Sequence, residues 1–311
     1  MKEFDLIKQL TAGLPVNSTV VAGCGDDCAV LDLGIPERVL LFKTDAVVEG
    51  VHFERKCPGR DVGHKALARC LSDIAAMGGT PTAAVITLGL PNDDRVQWVQ
   101  DVYAGLTKLA KRQHVAIVGG ETTQNPGGVL ISVALVGWAL RGKAVLRSGA
   151  RPGDALFVSG ELGGSISGKH LTFEPRLPQG RWLAEHFPVR GMIDLSDGLA
   201  GDLRHILNAS GVGAELLASS IPISREAKLV ARKSGDLGKP ALVRALTDGE
   251  DFELLFCVPS RYAVSLLDGW HAEFPGLRLT CIGKITAATE LILRDKQGAR
   301  PLNLHGYTHF S

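Results

Sequence analysis

Val39-Leu40-Leu41-Phe42-Lys43-Thr44-Asp45 is an apolar run of strand type that ends in a hydroxyl and a carboxylate. Branched and aromatic residues read as a buried strand, and the polar end reads as the handover to a loop, a strand end or a helix cap. The same handover recurs along the chain. Gly25-Asp26-Asp27, Ser72-Asp73, Gly119-Gly120-Glu121, Asp194-Leu195-Ser196-Asp197-Gly198 and Glu250-Asp251 are further short acidic segments beside glycine or after apolar residues. Two carboxylates about 4 Å apart repel by roughly 4 kcal/mol at an effective dielectric of 20. Several of them in one cleft therefore require cations, and hard oxygen ligands beside glycine-rich loops point to Mg²⁺ and phosphates.

Around that strand the first half alternates. Val20-Val21-Ala22, Ala84 to Leu88, Val115 to Val118 and Leu130 to Leu135 read as strands. Asp61 to Met77 and Asp93 to Gln113 read as helices, the second started by the turn Pro91-Asn92-Asp93-Asp94. At 100° per residue, Val62, Ala66, Leu67, Cys70, Leu71, Ile74 and Met77 make one apolar face, with Asp73 at its edge and Ser72 turned away from it. The second half restarts at Ala155 to Ser159. Helices follow near Gly198 to Asn208 and Ser224 to Lys233, then strands at Phe252 to Val258, Leu279 to Ile285 and Glu290 to Arg294. The expectation is an α/β (α+β) protein of two domains, 1–148 and 149–311, joined near the loop Gly149 to Asp154.

Composition narrows the function. The chain has 311 residues, 45% of them hydrophobic and 22% charged, with a formal net charge of +1. No basic run stands out, which argues against nucleic acid as a partner. Val129 to Leu140 is about a dozen residues, too short to span a bilayer. A charged beginning, Met1-Lys2-Glu3-Phe4-Asp5, reads against a secretory signal, so a cytoplasmic protein with no membrane contact is expected. The six cysteines contain no C-x-x-C pair and read as reduced thiols rather than a zinc site.

Each motif has a plain alternative. Gly23-Cys24-Gly25-Asp26-Asp27 also reads as a tight turn, and Asp194 to Gly198 as a helix N-cap with an acidic first turn. His52 alone reads as a structural histidine and Arg147 as a solvated loop arginine. Gly163-Gly164-Ser165-Ile166-Ser167-Gly168-Lys169-His170 nearly matches the P-loop pattern. His170 stands where the metal-binding hydroxyl belongs, and Pro175 leaves little room for the following helix.

Taken in order, the motifs resemble the thiamine-monophosphate kinase family. That family shares a superfamily with aminoimidazole ribonucleotide synthetase and selenophosphate synthetase. The resemblance rests on Gly25-Asp26-Asp27, Thr44-Asp45 with Val48 to Phe53, Leu71 to Gly78, and Gly119 to Thr123. It continues through Arg147 to Asp154, Ile193 to Leu199, Gly249 to Leu254 and the closing Gly306-Tyr307-Thr308-His309-Phe310. It implies a homodimer whose N-terminal strands form a barrel at the interface, and ATP- and Mg²⁺-dependent phosphorylation of thiamine monophosphate. By the same resemblance Asp27, Thr44, Asp45, Asp73, Glu121, Asp194 and Asp197 are metal ligands, with Asp27, Asp45 and Asp197 central to catalysis. Lys43, Thr44, Gly120, Glu121, Arg147 and Ser196 would contact ATP, and His52, Glu250 and Tyr307 the thiamine monophosphate. The chain departs from the family pattern at Lys43, at Glu121 and in the loop Gly160 to Gly168. Another phosphorylated acceptor, a nucleotide sensor without turnover and a two-metal phosphatase are the competing readings.

Overall fold

The computed structural model describes residues 3–93, 95–235, 238–304 and 306–307. Asp94 of the helix-starting turn and Thr308, His309 and Phe310 of the closing motif lie outside the described residues. Two sheets carry the chain. The first contains β1 (Val20–Ala22), β2 (Ala29–Leu31), β3 (Arg38–Val48), β4 (Thr80–Leu90), β5 (Ala116–Gln124) and β6 (Leu130–Leu140). Their order is β1-β2-β3-β6-β4-β5, antiparallel except between β4 and β5. That parallel pair needs a crossover, and the Val96–Arg112 helix supplies it. The second sheet contains β7 (Asp154–Ser159), β8 (Gly191–Asp194), β9 (Gly213–Leu217), β10 (Leu254–Pro259), β11 (Leu279–Thr286), β12 (Leu291–Asp295) and β13 (Gly298–Pro301). It runs β13-β12-β9-β11-β7-β10-β8, parallel only between β12 and β9.

Strand β3 corrects the opening expectation. It does not end at Asp45 but continues through Ala46-Val47-Val48, paired residue by residue with β6. Strand β5 likewise runs on past Gly119-Gly120-Glu121 to Gln124. Along β6 the residues Ile131, Val133 and Leu135 are buried, while Ser132, Ala134 and Val136 are only half-buried. One face of this sheet is therefore covered and the other is not. On the uncovered face Phe42 and Val85 are exposed. Among the described residues the sheet is open, with β1 and β5 as its edges, and one chain closes no barrel.

The covered face packs on the Gly59–Ala76 helix, which in turn lies against the Val96–Arg112 helix. The two helices touch backbone to backbone. A Cβ on Gly63 would stand 2.0 Å from the Val102 carbonyl oxygen, and one on Gly105 would stand 2.0 Å from that of Arg60. Gly63→Ala is thus expected to force the helices apart and lower stability by about 1–3 kcal/mol, read from a urea melt. An unchanged midpoint would refute this account of the crossing.

One hydrophobic core joins the covered face of the first sheet to one face of the second, through Phe157, Phe256 and Trp270. A separate core lies beneath the Leu199–Ser210 helix on the other face. The Gly59–Ala76 helix sits inside the first core and is enclosed on more than its apolar stripe. Ser72, expected to point away, is buried, as are Lys65 and Asp73. Those buried polar groups form the site described next.

Candidate active site

Asp27 lies in the turn between β1 and β2, Asp73 in the last turns of the Gly59–Ala76 helix, and Asp194 at the end of β8. The fold brings the three together: all are buried, and one carboxylate oxygen of each lies within 4.8 Å of the others. Their repulsion is answered in part by the protein. Lys43 Nζ is 3.1 Å from Asp73 Oδ1. Arg147 donates to Asp27 Oδ1 from Nη2 at 2.6 Å and Nε at 3.2 Å, and its backbone N–H to Asp26 Oδ1 at 2.6 Å. The Ser72 hydroxyl donates to Asp194 Oδ2 at 2.6 Å. Two oxygens are left over. Asp27 Oδ2 and Asp73 Oδ2 are buried with no hydrogen-bond partner. Buried acceptors are rarely left so, and hard oxygens without donors are the ligands a divalent cation takes. The residues therefore fit Mg²⁺.

The acids titrate apart because their surroundings differ. Burial, with repulsion from Asp27, pushes the Asp194 carboxyl up to about 7 against the pull of Ser72, Lys43 and Arg147. Burial raises Asp73 well above the carboxylate range despite Lys43. Burial also acts on Asp45, but there Lys43 and Arg69 prevail and hold its carboxylate low.

Beside the acids lies a second group. The Lys65 ammonium, fully buried, pairs with Glu250 Oε2 and donates to the His52 carbonyl at 2.7 Å. Arg69 bridges Glu250 Oε1 at 3.2 Å and Asp45 Oδ1 at 3.5 Å. His52 Nδ1 accepts the Val48 N–H at 3.1 Å, which fixes the ring against its own loop. Ser196 and Asp197 fill the junction between β8 and the Leu199–Ser210 helix, as the sequence suggested. Glu250 N–H donates to the Ser196 carbonyl at 2.7 Å and Tyr307 N–H to the Asp197 carbonyl at 2.9 Å, so both reach this junction. Asp197, Asp202 and His205 form another close group. There Asp202 Oδ2 already accepts the Asp197 and Gly198 amides at 3.0 Å each.

Thr44 and Glu121 are not brought to the acidic cluster. Successive residues of a strand face opposite sides. Lys43 and Asp45 face the helix, whereas Thr44 lies on the uncovered face with its Oγ1 3.4 Å from Ser132 Oγ. Glu121 is in register with Thr87, and Thr87 with Ser132, across the same sheet. Gly120 lies so close to β4 that a Cβ would stand 1.8 Å from the Ile86 carbonyl oxygen.

Sequence reading missed Lys65, Arg69 and Ser72. A signal existed: Lys65, Arg69 and Asp73 recur every four residues and make one polar stripe along the helix. The P-loop likeness has a different outcome. Lys169 Nζ is committed to Glu253 Oε1 at 2.9 Å, and the helix that follows the loop spans only Lys169–Thr172.

Residues 25–139 match the AIR synthase related protein, N-terminal domain. Over 280 residues the chain is 41% identical to the thiamine-monophosphate kinase of Rhodopirellula baltica, covering 88% of this chain and 85% of that one. It is 34% identical over 337 residues to the thiamine-monophosphate kinase of Bacillus subtilis, covering 100% of both. The structure of AaThiL complexed with AMPPCP and TMP matches it with a TM-score of 0.82 and 31% identity, covering 99% of this chain and 97% of that one. With relatives this similar along nearly its whole length, and with the clustered acids in place, the chain belongs to the thiamine-monophosphate kinase family.

Proposed function

We propose that this protein transfers the γ-phosphoryl group of ATP to thiamine monophosphate, yielding thiamine diphosphate and ADP. The observation that carries the reading is the pair of unpartnered oxygens on Asp27 and Asp73 within the three-acid cluster. The ligands of AaThiL, AMPPCP and TMP, support the choice of substrates. In the reaction a phosphate oxygen of thiamine monophosphate forms a bond to the γ-phosphorus, and the bond from that phosphorus to the bridging oxygen of ADP breaks. The attacking oxygen is already anionic at neutral pH, so the obstacle is charge rather than a missing base.

Asp27, Asp45, Asp73, Asp194 and Asp197 would hold Mg²⁺, which when bound supplies positive charge against the approaching phosphates. Thr44 and Glu121 lie across the sheet from Asp27, so any ion they hold is a separate one. Lys43, Gly120, Arg147 and Ser196 would meet ATP, and His52, Glu250 and Tyr307 the thiamine monophosphate. Arg69, which bridges Asp45 and Glu250, would couple the two sides of the cleft. No helix among the described residues is long and apolar enough to cross a membrane. The reading further includes a cytoplasmic homodimer joined through the uncovered sheet face, and domains of 1–148 and 149–311.

The test is a coupled assay with ATP, Mg²⁺ and thiamine monophosphate, the product identified by mass. Thiamine diphosphate is expected only when all three are present. ADP release without it would assign another acceptor, and nucleotide binding without turnover would assign a sensor.

A further inference from the structure

We infer that the Lys43 ammonium is a built-in cation of the acidic site, standing where one more divalent ion would otherwise bind. The inference rests on the metal reading above and adds to it a fixed share of the positive charge. Lys43 projects from the covered face of β3, the same face as Asp45, and its Nζ reaches Asp73 Oδ1 at 3.1 Å. Arg147 plays the matching part on the other side, taking Asp27 Oδ1.

The division of oxygens is what carries the inference. Asp27 and Asp73 each give one oxygen to a protein cation, and each keeps the other oxygen buried and unpartnered. Asp27 and Asp73 belong to one close group, and their orphaned oxygens are the ligands left there for a free ion. Asp73 Oδ1 would offer a ligand to a second ion, and Lys43 already meets it at 3.1 Å. An ammonium differs from a metal there in three ways: it is monovalent, it is tethered, and no chelator removes it. A short neutral side chain at this position would vacate that place and leave Asp73 Oδ1 free for a metal.

The count of bound Mn²⁺ per chain tests this directly. Electron paramagnetic resonance of free Mn²⁺ measures it at saturating non-hydrolysable ATP analogue, so the ions brought by nucleotide cancel between variants. Lys43→Ser is expected to bind one more Mn²⁺ than the wild type, and Lys43→Arg, which keeps a cation, the same number. Circular dichroism and melting establish that the variants fold. Lys43→Ala, short and neutral like serine, serves the same count where the serine variant does not. An equal, non-zero count in the wild type and the serine or alanine variant overturns the inference alone. A lower count in those variants also overturns it, because Lys43 would then merely position the acids. No Mn²⁺ beyond the nucleotide's own, in the wild type and the short neutral variants alike, overturns the inference and the metal reading together.

Discussion

Asp194→Asn is expected to lower phosphoryl transfer by about three orders of magnitude while making the ion-free protein more stable above neutral pH. The loss of activity follows from removing an anionic ligand and its share of charge control at the reacting phosphates; losing one preorganised electrostatic contact commonly costs about 10²–10³ in turnover. The gain in stability follows from crowding. Burial and the Asp27 carboxylate raise the folded Asp194 carboxyl from 3.8 to about 7. The folded state therefore holds this proton more tightly than the unfolded chain does. Its ionisation destabilises the fold progressively as pH rises from about 4 to about 7, and fully above that, by an amount on the order of a few kcal/mol. Asparagine keeps the shape and can still accept from Ser72, but carries no charge to repel Asp27. Urea melts in EDTA between pH 5 and pH 8 check the point. The wild type should weaken with rising pH more than the variant, and Mg²⁺ should recover the wild type more than the variant. Undiminished transfer in Asp194→Asn would remove the residue from the site. A variant less stable than the wild type at pH 8 would mean that repulsion is not what the cluster stores.

A site that destabilises the empty protein in this way is what selection for function leaves behind. It also explains which parts of the molecule could be read in advance. Leu130 to Leu135 reads as a strand from its apolar, branched letters. The two-residue burial period over Leu130 to Leu140 does not show in them, because Leu130, Ala134, Val136 and Trp138 on the less buried face are apolar too. The apolar stripe of the Gly59–Ala76 helix is visible. What meets its polar residues is not, because Glu250, which pairs with Lys65 and Arg69, and Asp194, which accepts from Ser72, lie far along the chain. Strands β2 and β8 span three and four residues, too few for any period to register. The acids themselves were visible, but their meeting was not: Ser72 and Asp194, 122 positions apart, are joined only by the topology. The ordered resemblance to a family supplied that convergence where local pattern could not. One error was avoidable from the sequence. Taking Thr44-Asp45 as a pair overlooked that neighbours on a strand point to opposite faces, so Lys43, not Thr44, is Asp45's companion.

Glu253→Ala should be among the most damaging single changes to stability, although the residue lies outside the acidic cluster. Glu253 is 1% exposed and sits just before β10. Arg176 grips its carboxylate from Nη2 at 2.6 Å and Nε at 2.7 Å, Lys169 reaches it at 2.9 Å, and the Ser159 hydroxyl donates at 2.8 Å. Gly160 passes so near that a Cβ there would stand 2.3 Å from the carboxylate. Burial alone would raise this carboxyl, but Lys169 and Arg176 outweigh it and hold the group below its ordinary range. The stabilisation is thus present above the unfolded glutamate pKa of about 4 and is lost as pH falls through the depressed folded value. Truncation leaves two cations facing a void, and breaking a buried pair from one side costs about 3–5 kcal/mol. The same carboxylate ties the glycine-rich loop to β10, whose neighbour β8 ends in Asp194. Urea melts at neutral pH give the comparison. The alanine variant should lose most, and Glu253→Gln, which keeps the volume and an acceptor for Ser159, should lose less. Adding Arg176→Ala to Glu253→Ala should restore part of the loss, because the stranded guanidinium is removed with its partner. A loss under about 1 kcal/mol, or additive single and double variants, would show that the loop is held by packing and not by this charge.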